Sequence, residues 1–295
     1  MIGARAPVVA VAAVGLLVWP GPASSEAVGG EPLPAAFRPL VERLTRDGFD
    51  RELLKRLYAD PRTTYLGRAV AFNLKRIERP ADYDQFLSEA SVRQGVAFLH
   101  RHRSLLEAVA GRSGVSPDVL VAILFVESRF GRHKGRHRVF NVYSSLAVAE
   151  EPHHLEAALR RLRARYPGTA RAQVRRRARK KAQWAYGELK ALLRVAAEQG
   201  FDVHELRGSW AGAFGLPQFI PSSYRTYAVD GNDDGLVDLD ILPDAAASIG
   251  AYLQRHGWQP SLSRRQKTQV LLTYNNSRLY ASTILAYAER LRERP

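Results

Sequence analysis

Ser116-Pro117-Asp118-Val119-Leu120-Val121-Ala122-Ile123-Leu124-Phe125-Val126-Glu127 opens as a helix and is apolar all the way round. Ser116 is a helix-capping residue type, Pro117 suits the first helical position, and Asp118 puts an acid in the first turn. Eight consecutive apolar residues, Val119 to Val126, leave that helix no face for solvent, so it is buried on nearly all sides. Upstream, Phe37 to Thr45, Asp50 to Tyr58 and Asp82 to His102 carry apolar residues at three- and four-residue spacing, with Pro61 and Pro80 between them. No strand-type alternation is sustained anywhere. The sequence therefore predicts a mainly α fold, organised as a leader at 1–25, an N-terminal helical region at 26–110, and a core at 111–295 with a basic insertion at about 155–185.

The chain has 295 residues, 46% hydrophobic and 25% charged, enough to bury a sizeable core without metals or disulfides as staples. It contains no cysteine, which excludes disulfide frameworks, thiolate metal sites, cysteine nucleophiles and a lipid anchor on that residue. The 44 Lys and Arg against 29 Asp and Glu give a net charge of +15, which suits a polyanionic neighbour. Arg5, the apolar run Val8 to Trp19 and the small residues Ala23-Ser24-Ser25 form the pattern of a secretory signal peptide, cleaved after Ser25 or Ala27. The apolar run is too short for a permanent span. Losing Arg5 leaves +14. The expected product is a soluble periplasmic or secreted protein, without a permanent membrane anchor and with the cell envelope, not nucleic acid, as its neighbour.

Residues 160–181 hold eleven Lys or Arg and no acid, a quarter of the chain's positive charge. Two readings stand: a solvated helical face or loop, and a patch that docks on an acidic polymer.

Glu127 ends the apolar run, in Phe125-Val126-Glu127-Ser128-Arg129-Phe130-Gly131. A carboxylate at the rim of an apolar helix loses solvation, which raises its pKa and suits it to general-acid cleavage of a glycosidic bond. The alternative is a glutamate paired with Arg129 or Arg132. Further on, Ser209-Trp210-Ala211-Gly212-Ala213-Phe214-Gly215-Leu216-Pro217-Gln218-Phe219-Ile220-Pro221-Ser222-Ser223-Tyr224 mixes small residues, aromatics and hydrogen-bonding side chains. Ser209 and Gln218 can hydrogen-bond a sugar, and Trp210, Phe219 or Tyr224 can give it a flat apolar face.

Asp230-Gly231-Asn232-Asp233-Asp234-Gly235-Leu236-Val237-Asp238 follows. Oxygen ligands at Asp230, Asn232 and Asp234, glycine at the sixth position and the backbone carbonyl of Leu236 match the start of an EF-hand calcium loop. The twelfth position is Ile241, and the nearest later carboxylate on a suitable path is Asp244. An Asp/Asn-rich turn without an ion is the other reading. A single unpaired loop points to structural calcium, not to a sensor.

Taken together, these segments resemble the lytic murein transglycosylase B family of bacterial cell-wall enzymes. Glu127-Ser128-Arg129-Phe130-Gly131 is similar to that family's E-[ST]-R-[WF]-G motif, and Ala211 to Tyr224 to its A-G-A-x-G-x-x-Q-F-x-P-S-S-Y signature. The Asp230 loop stands in the family's place, with the last ligand displaced to where Asp244 falls. Ile249 to Trp258, Tyr274-Asn275-Asn276-Ser277 and Tyr280 match later segments, so the resemblance covers roughly 112 to 290. It implies a lysozyme-like, mainly helical fold and cleavage of the β-1,4 bond between N-acetylmuramic acid and N-acetylglucosamine. Glu127 would be the single acid and then base, closing a 1,6-anhydro ring without a second catalytic carboxylate. Ser209, Gln218, Tyr274 and Asn275 would contact the glycan strands of peptidoglycan, and envelope proteins are possible partners.

The chain departs from the family where a Phe-Asn-Tyr-Pro-Arg-Arg-like stretch is usual. Ala149-Glu150-Glu151-Pro152-His153-His154 stands there instead, and no substrate-facing arginine can be assigned. Two other functions stay open: a hydrolytic muramidase on the same fold, and a non-catalytic, calcium-stabilised wall-binding protein.

Overall fold

The computed structural model describes residues 34–75 and 80–294, so the expected leader lies outside the described residues. After a 3-10 turn at Ala35–Phe37 come α1 (Arg38–Arg46), α2 (Arg51–Ala59), α3 (Gly67–Leu74), α4 (Ala81–Asp84), α5 (Glu89–Arg101), α6 (Arg103–Ser113) and α7 (Pro117–Ser128). A strand β1 (His137–Arg138) leads into α8 (Val139–Ala147), α9 (Pro152–Arg165) and α10 (Arg171–Gln199). Strand β2 (Arg207–Gly208) precedes α11 (Pro221–Tyr227), α12 (Leu242–Arg255), α13 (Arg264–Tyr274) and α14 (Arg278–Arg292). The fold is mainly α, as expected.

α7 is the buried axis. Every residue from Val119 to Phe125 is at most 3% exposed, and α5, α6, α12 and α14 surround the helix. Pro117 takes the first helical position as expected, but the Ser116 side chain makes no capping bond. Its carbonyl instead accepts from Val119 and Leu120. Asp118 is buried and pairs with Nε of Arg292 at 3.1 Å, which ties the start of α7 to the end of α14. Phe125 stacks on Tyr287 of α14, with centroids 5.0 Å apart. The expected helical segment from Asp82 to His102 is broken near Ser88, whose hydroxyl accepts from the Ser91 N–H and starts α5 afresh.

α8 is a second buried helix, with all nine residues shielded from solvent. It packs mainly on α10. The N-terminal helices share one hydrophobic core with the rest, which runs from Phe37 to Leu291.

The basic stretch 160–181 is helical at both ends, in α9 and α10, which form a hairpin around the turn at 166–170. Leu155, Ala158, Leu159 and Leu162 bury one side of α9, and Val174, Ala178 and Ala182 bury one side of α10. His154 anchors α9 by stacking on Tyr65 at 4.1 Å, and its Nε2 is buried without a partner among the described residues.

β1 and β2 pair antiparallel, with His137 opposite Gly208. Bridges from Gly208 to Phe214 and from Phe214 to Phe219 continue the ribbon into the glycine-rich segment. Gly212 sits at φ +89°, and a Cβ there would collide with the ring of Tyr143. The Tyr143 hydroxyl donates to the Gly212 carbonyl at 3.1 Å. Only glycine meets both demands.

Gly212→Ala should therefore lower stability by about 2 kcal/mol or more, measured as a shift in urea midpoint. An unchanged midpoint would show that α8 yields easily here. A second expectation concerns pH. Burial, and next the charge of His153, pulls the His154 pKa from 6.5 to about 4. The folded chain holds this ring neutral while the unfolded chain protonates it, so stability is full above pH ~6.5 and falls as pH drops toward 4. The loss is about 2–3 kcal/mol from a shift of this size. His154→Phe keeps the stacking and should flatten that limb of the stability–pH curve. A curve identical to that of the parent protein would refute the assignment.

Candidate active site

Glu127 is the penultimate residue of α7, half-buried at the helix rim. The helix stops abruptly beyond it. Arg129 and Phe130 take left-handed conformations at φ +49° and +57°, and Gly131 follows at +89°. For the two side-chain-bearing residues this costs about 1 kcal/mol or more each. The turn is over-determined by its bonds: the Ser128 hydroxyl donates to the Leu124 carbonyl and accepts from the Gly131 N–H. Arg129 donates to Oε1 of Gln85 at 2.7 Å and lies over the rings of Phe86 and Phe125. Arg132 turns toward Gln94. The two arginines offered as ion-pair partners for Glu127 thus direct their guanidiniums to amide oxygens.

Two phenols flank the carboxylate. Tyr280 lies in the first turn of α14, where the Ser277 hydroxyl accepts its backbone N–H. Tyr274 ends α13 and stands parallel to Tyr280, with centroids 6.3 Å apart. Burial first and the Glu127 charge second push both phenols well above their ordinary pKa, so both stay protonated. The Tyr280 hydroxyl meets no partner at full hydrogen-bond geometry among the described residues, yet both the Glu127 charge and a hydrogen bond to the Glu127 side chain act on it. Glu127 is the carboxylate among the main influences on both phenols.

Tyr274 also binds the glycine-rich segment, its hydroxyl donating to the Pro217 carbonyl at 2.6 Å. In that segment Ser209 Oγ accepts from the N–H groups of Ala211 and Ala213, and its hydroxyl proton has no acceptor among the described residues. Gln218, at φ +50°, donates its amide to the carbonyls of Gly215 and Lys134, so its side-chain oxygen remains as an acceptor. Asn275 caps α13, half-buried beside Tyr274. The Glu127 charge reaches Tyr274, Asn275 follows Tyr274 in the chain, and the Tyr274–Pro217 bond joins that phenol to the segment that carries Gln218.

A shallow cavity of about 290 Å³ lies behind Phe130, among Phe98, Arg101, His102 and Arg132, and Glu127, Ser209, Gln218, Tyr274 and Asn275 do not line it.

The Asp230 loop is built from backbone bonds. Asp230 accepts from the N–H groups of Asn232, Asp234 and Gly235. Asp234 accepts from Leu236 N–H and from the Asn232 amide. Asp244 is fully buried and clamps the two ends of the loop, taking Gly231 N–H on one oxygen and Asp238 N–H on the other. Among the described residues no three acidic or histidine side chains converge as a ready metal cage. The donors are nonetheless all oxygens, the chemistry a hard cation takes.

Sequence reasoning missed Glu188 and Tyr83. Glu188 is buried in α10, and burial raises its pKa. It accepts from the Ser222 N–H at 2.9 Å and the Ser222 hydroxyl at 2.8 Å, fixing the start of α11. No local signal separates it from other helix glutamates. Tyr83, next to Tyr280, carries none either.

Comparison with known proteins bears on this geometry. The sequence matches the family described as the transglycosylase SLT domain over residues 34–268. It is 33% identical over 174 residues to membrane-bound lytic murein transglycosylase B of Escherichia coli (strain K12), across 59% of this chain and 40% of that protein. The alignment thus spans about two fifths of that relative's length. The soluble lytic transglycosylase SltB1 from Pseudomonas aeruginosa superposes with a TM-score of 0.70 at 25% identity, over 86% of this chain and 97% of that one. The Escherichia coli lytic transglycosylase SLT35 in complex with calcium gives 0.68 at 22% identity, over 88% and 93%. The lysozyme-like, mainly helical fold expected from the sequence is the fold they share. The chain belongs to the transglycosylase SLT domain family.

Proposed function

We propose that the chain is a lytic transglycosylase of peptidoglycan. It would cleave the β-1,4 bond between N-acetylmuramic acid and N-acetylglucosamine and leave a 1,6-anhydromuramoyl end. The observation that carries this reading is a single half-buried carboxylate, Glu127, at the rim of a buried helix and flanked by two protonated phenols. Glu127 donates its proton to the glycosidic oxygen as the bond to C1 breaks. The resulting carboxylate then takes the proton of the muramoyl C6 hydroxyl, whose oxygen closes on C1. The proton count balances and no water enters. Ser209, Gln218, Tyr274 and Asn275 hold the glycan: among the described residues the Ser209 hydroxyl proton and the Gln218 side-chain oxygen have no partner, so one can donate and the other accept.

The Asp230 loop is proposed to hold structural calcium through Asp230, Asn232, Asp234, the Leu236 carbonyl and Asp244. All-oxygen donors at this spacing and the calcium complex of SLT35 support it. The ion would supply fixed positive charge for the loop that leads into α12. A periplasmic or secreted location follows from the expected leader. Among the described residues no single helix is long and apolar enough to cross a membrane.

Glu127→Gln should reduce release of soluble muropeptides from sacculi by about 10²–10⁴-fold, with the urea midpoint unmoved. Activity near that of the parent would rule out the role given to this residue. Chelation should lower the melting temperature by several degrees and added calcium should restore it. Melting that is indifferent to both would dismiss the ion.

A further inference from the structure

The α9–α10 hairpin carries a dense cationic face, of which Arg163, Arg171 and Arg177 also make bonds within the fold. Arg160, Arg161, Arg163, Arg165, Arg171, Arg175, Arg176, Arg177, Arg179 and Lys180 are exposed, and Lys181 is half-exposed. Among the described residues one carboxylate, Glu156, forms an ion pair with the ten exposed cations, through Arg171. By contrast, Arg62 alone meets three carboxylates, Asp60, Asp202 and Glu205. The first turn of α10 has no acid and opens on Arg171, with Arg175 and Arg176 in the next turn, at the positive end of the helix dipole. Like charges are therefore gathered against their own repulsion and against the dipole. The buried contacts that hold the hairpin come from Val174, Ala178 and Ala182, not from the charges.

The face is continuous with the candidate glycan-binding segment. Nζ of Lys181 lies 4.1 Å from the Trp184 ring centre, and Trp184 packs edge-on against Tyr143, which binds Gly212. Arg177 donates to the carbonyl of Leu74 at the end of α3. On the same helix Phe72, 52% exposed, meets Trp210 edge-on at 4.3 Å. Nine of the eleven cations are arginines, whose planar fork matches carboxylates. Among the described residues none of the large exposed apolar side chains (Phe72, Val229 and Leu236) lies on the hairpin, so it lacks what a helix needs to enter a bilayer.

We propose that this face is an extended binding surface for the carboxylate-bearing stem peptides of peptidoglycan, holding the polymer beyond the strand segment at Glu127. The proposal rests on the peptidoglycan reading given above, and its test is separate from catalysis.

Binding is measured at about 0.15 M salt in the Glu127→Gln protein, which holds sacculi without consuming them. One variant adds Arg175→Gln, Arg176→Gln, Arg179→Gln and Lys180→Gln. A control removes the same charge elsewhere, with Arg46→Gln, Arg51→Gln, Arg56→Gln and Arg265→Gln. The hairpin variant should bind purified sacculi at least tenfold more weakly and the control within about twofold of the parent. Sacculi with amidated carboxyl groups should bind the unaltered hairpin as weakly as native sacculi bind the variant. Equal losses in variant and control would overturn the proposal in favour of net charge alone. Tighter binding to phosphatidylglycerol vesicles than to sacculi, lost in the hairpin variant, would overturn it in favour of a membrane surface. A chain that binds through the hairpin yet releases no products with Glu127 intact would fail the catalytic reading while leaving the surface assigned.

Discussion

The burial of α7 is the constraint on which the rest depends. A helix with apolar side chains on every face has to be enclosed, and here α5, α6, α12 and α14 enclose it. Burying one such side chain contributes about 1.5–3 kcal/mol, so moving α7 out of its place would cost many such contributions. The enclosure ends at its last turn, and Glu127 stands at that exit, half in and half out. A carboxylate in that position combines partial desolvation with access to a substrate. The buried helix thus fixes the position of the charge.

The loop beyond α7 adds local strain to that rigidity. Arg129 and Phe130 remain left-handed because Ser128, Gln85, Phe86 and Phe98 hold their atoms in place. On the other side, Tyr274 ties α13 to Pro217 and so fixes the distance between the acid's edge and the glycine-rich segment. Gly212 lets that segment lie against Tyr143 of α8. The site is thus assembled from three elements distant in sequence, each pinned to a buried helix.

Legibility followed the locality of the signal. α7 and its terminal acid were readable because an unbroken apolar run has one structural meaning. The Asp230 loop was readable by spacing, but spacing alone does not show that its carboxylates are spent on backbone N–H groups, with Asp244 as a buried clamp. Ser116 had the right residue type and the right place for a cap, yet only its carbonyl is used. Glu188 and the neighbourhood of Tyr280 with Tyr83 were hidden, because each depends on a partner far along the chain. α8 carries Asn141, Tyr143, Ser144 and Ser145 amid its apolar residues, and their buried partners, such as Tyr58 for Ser144, come from other elements. The basic stretch read equally as loop or helix, and the small buried stripe of Val174, Ala178 and Ala182 decides for helix.

The central claim is that one acid and the substrate's own hydroxyl do the chemistry, without water as nucleophile. The most direct test is the mass of the soluble products released from purified sacculi by the full protein. The account predicts muropeptides ending in 1,6-anhydromuramic acid, one water lighter than a reducing end. Products heavier by that water would contradict it and make the chain a hydrolase on the same scaffold.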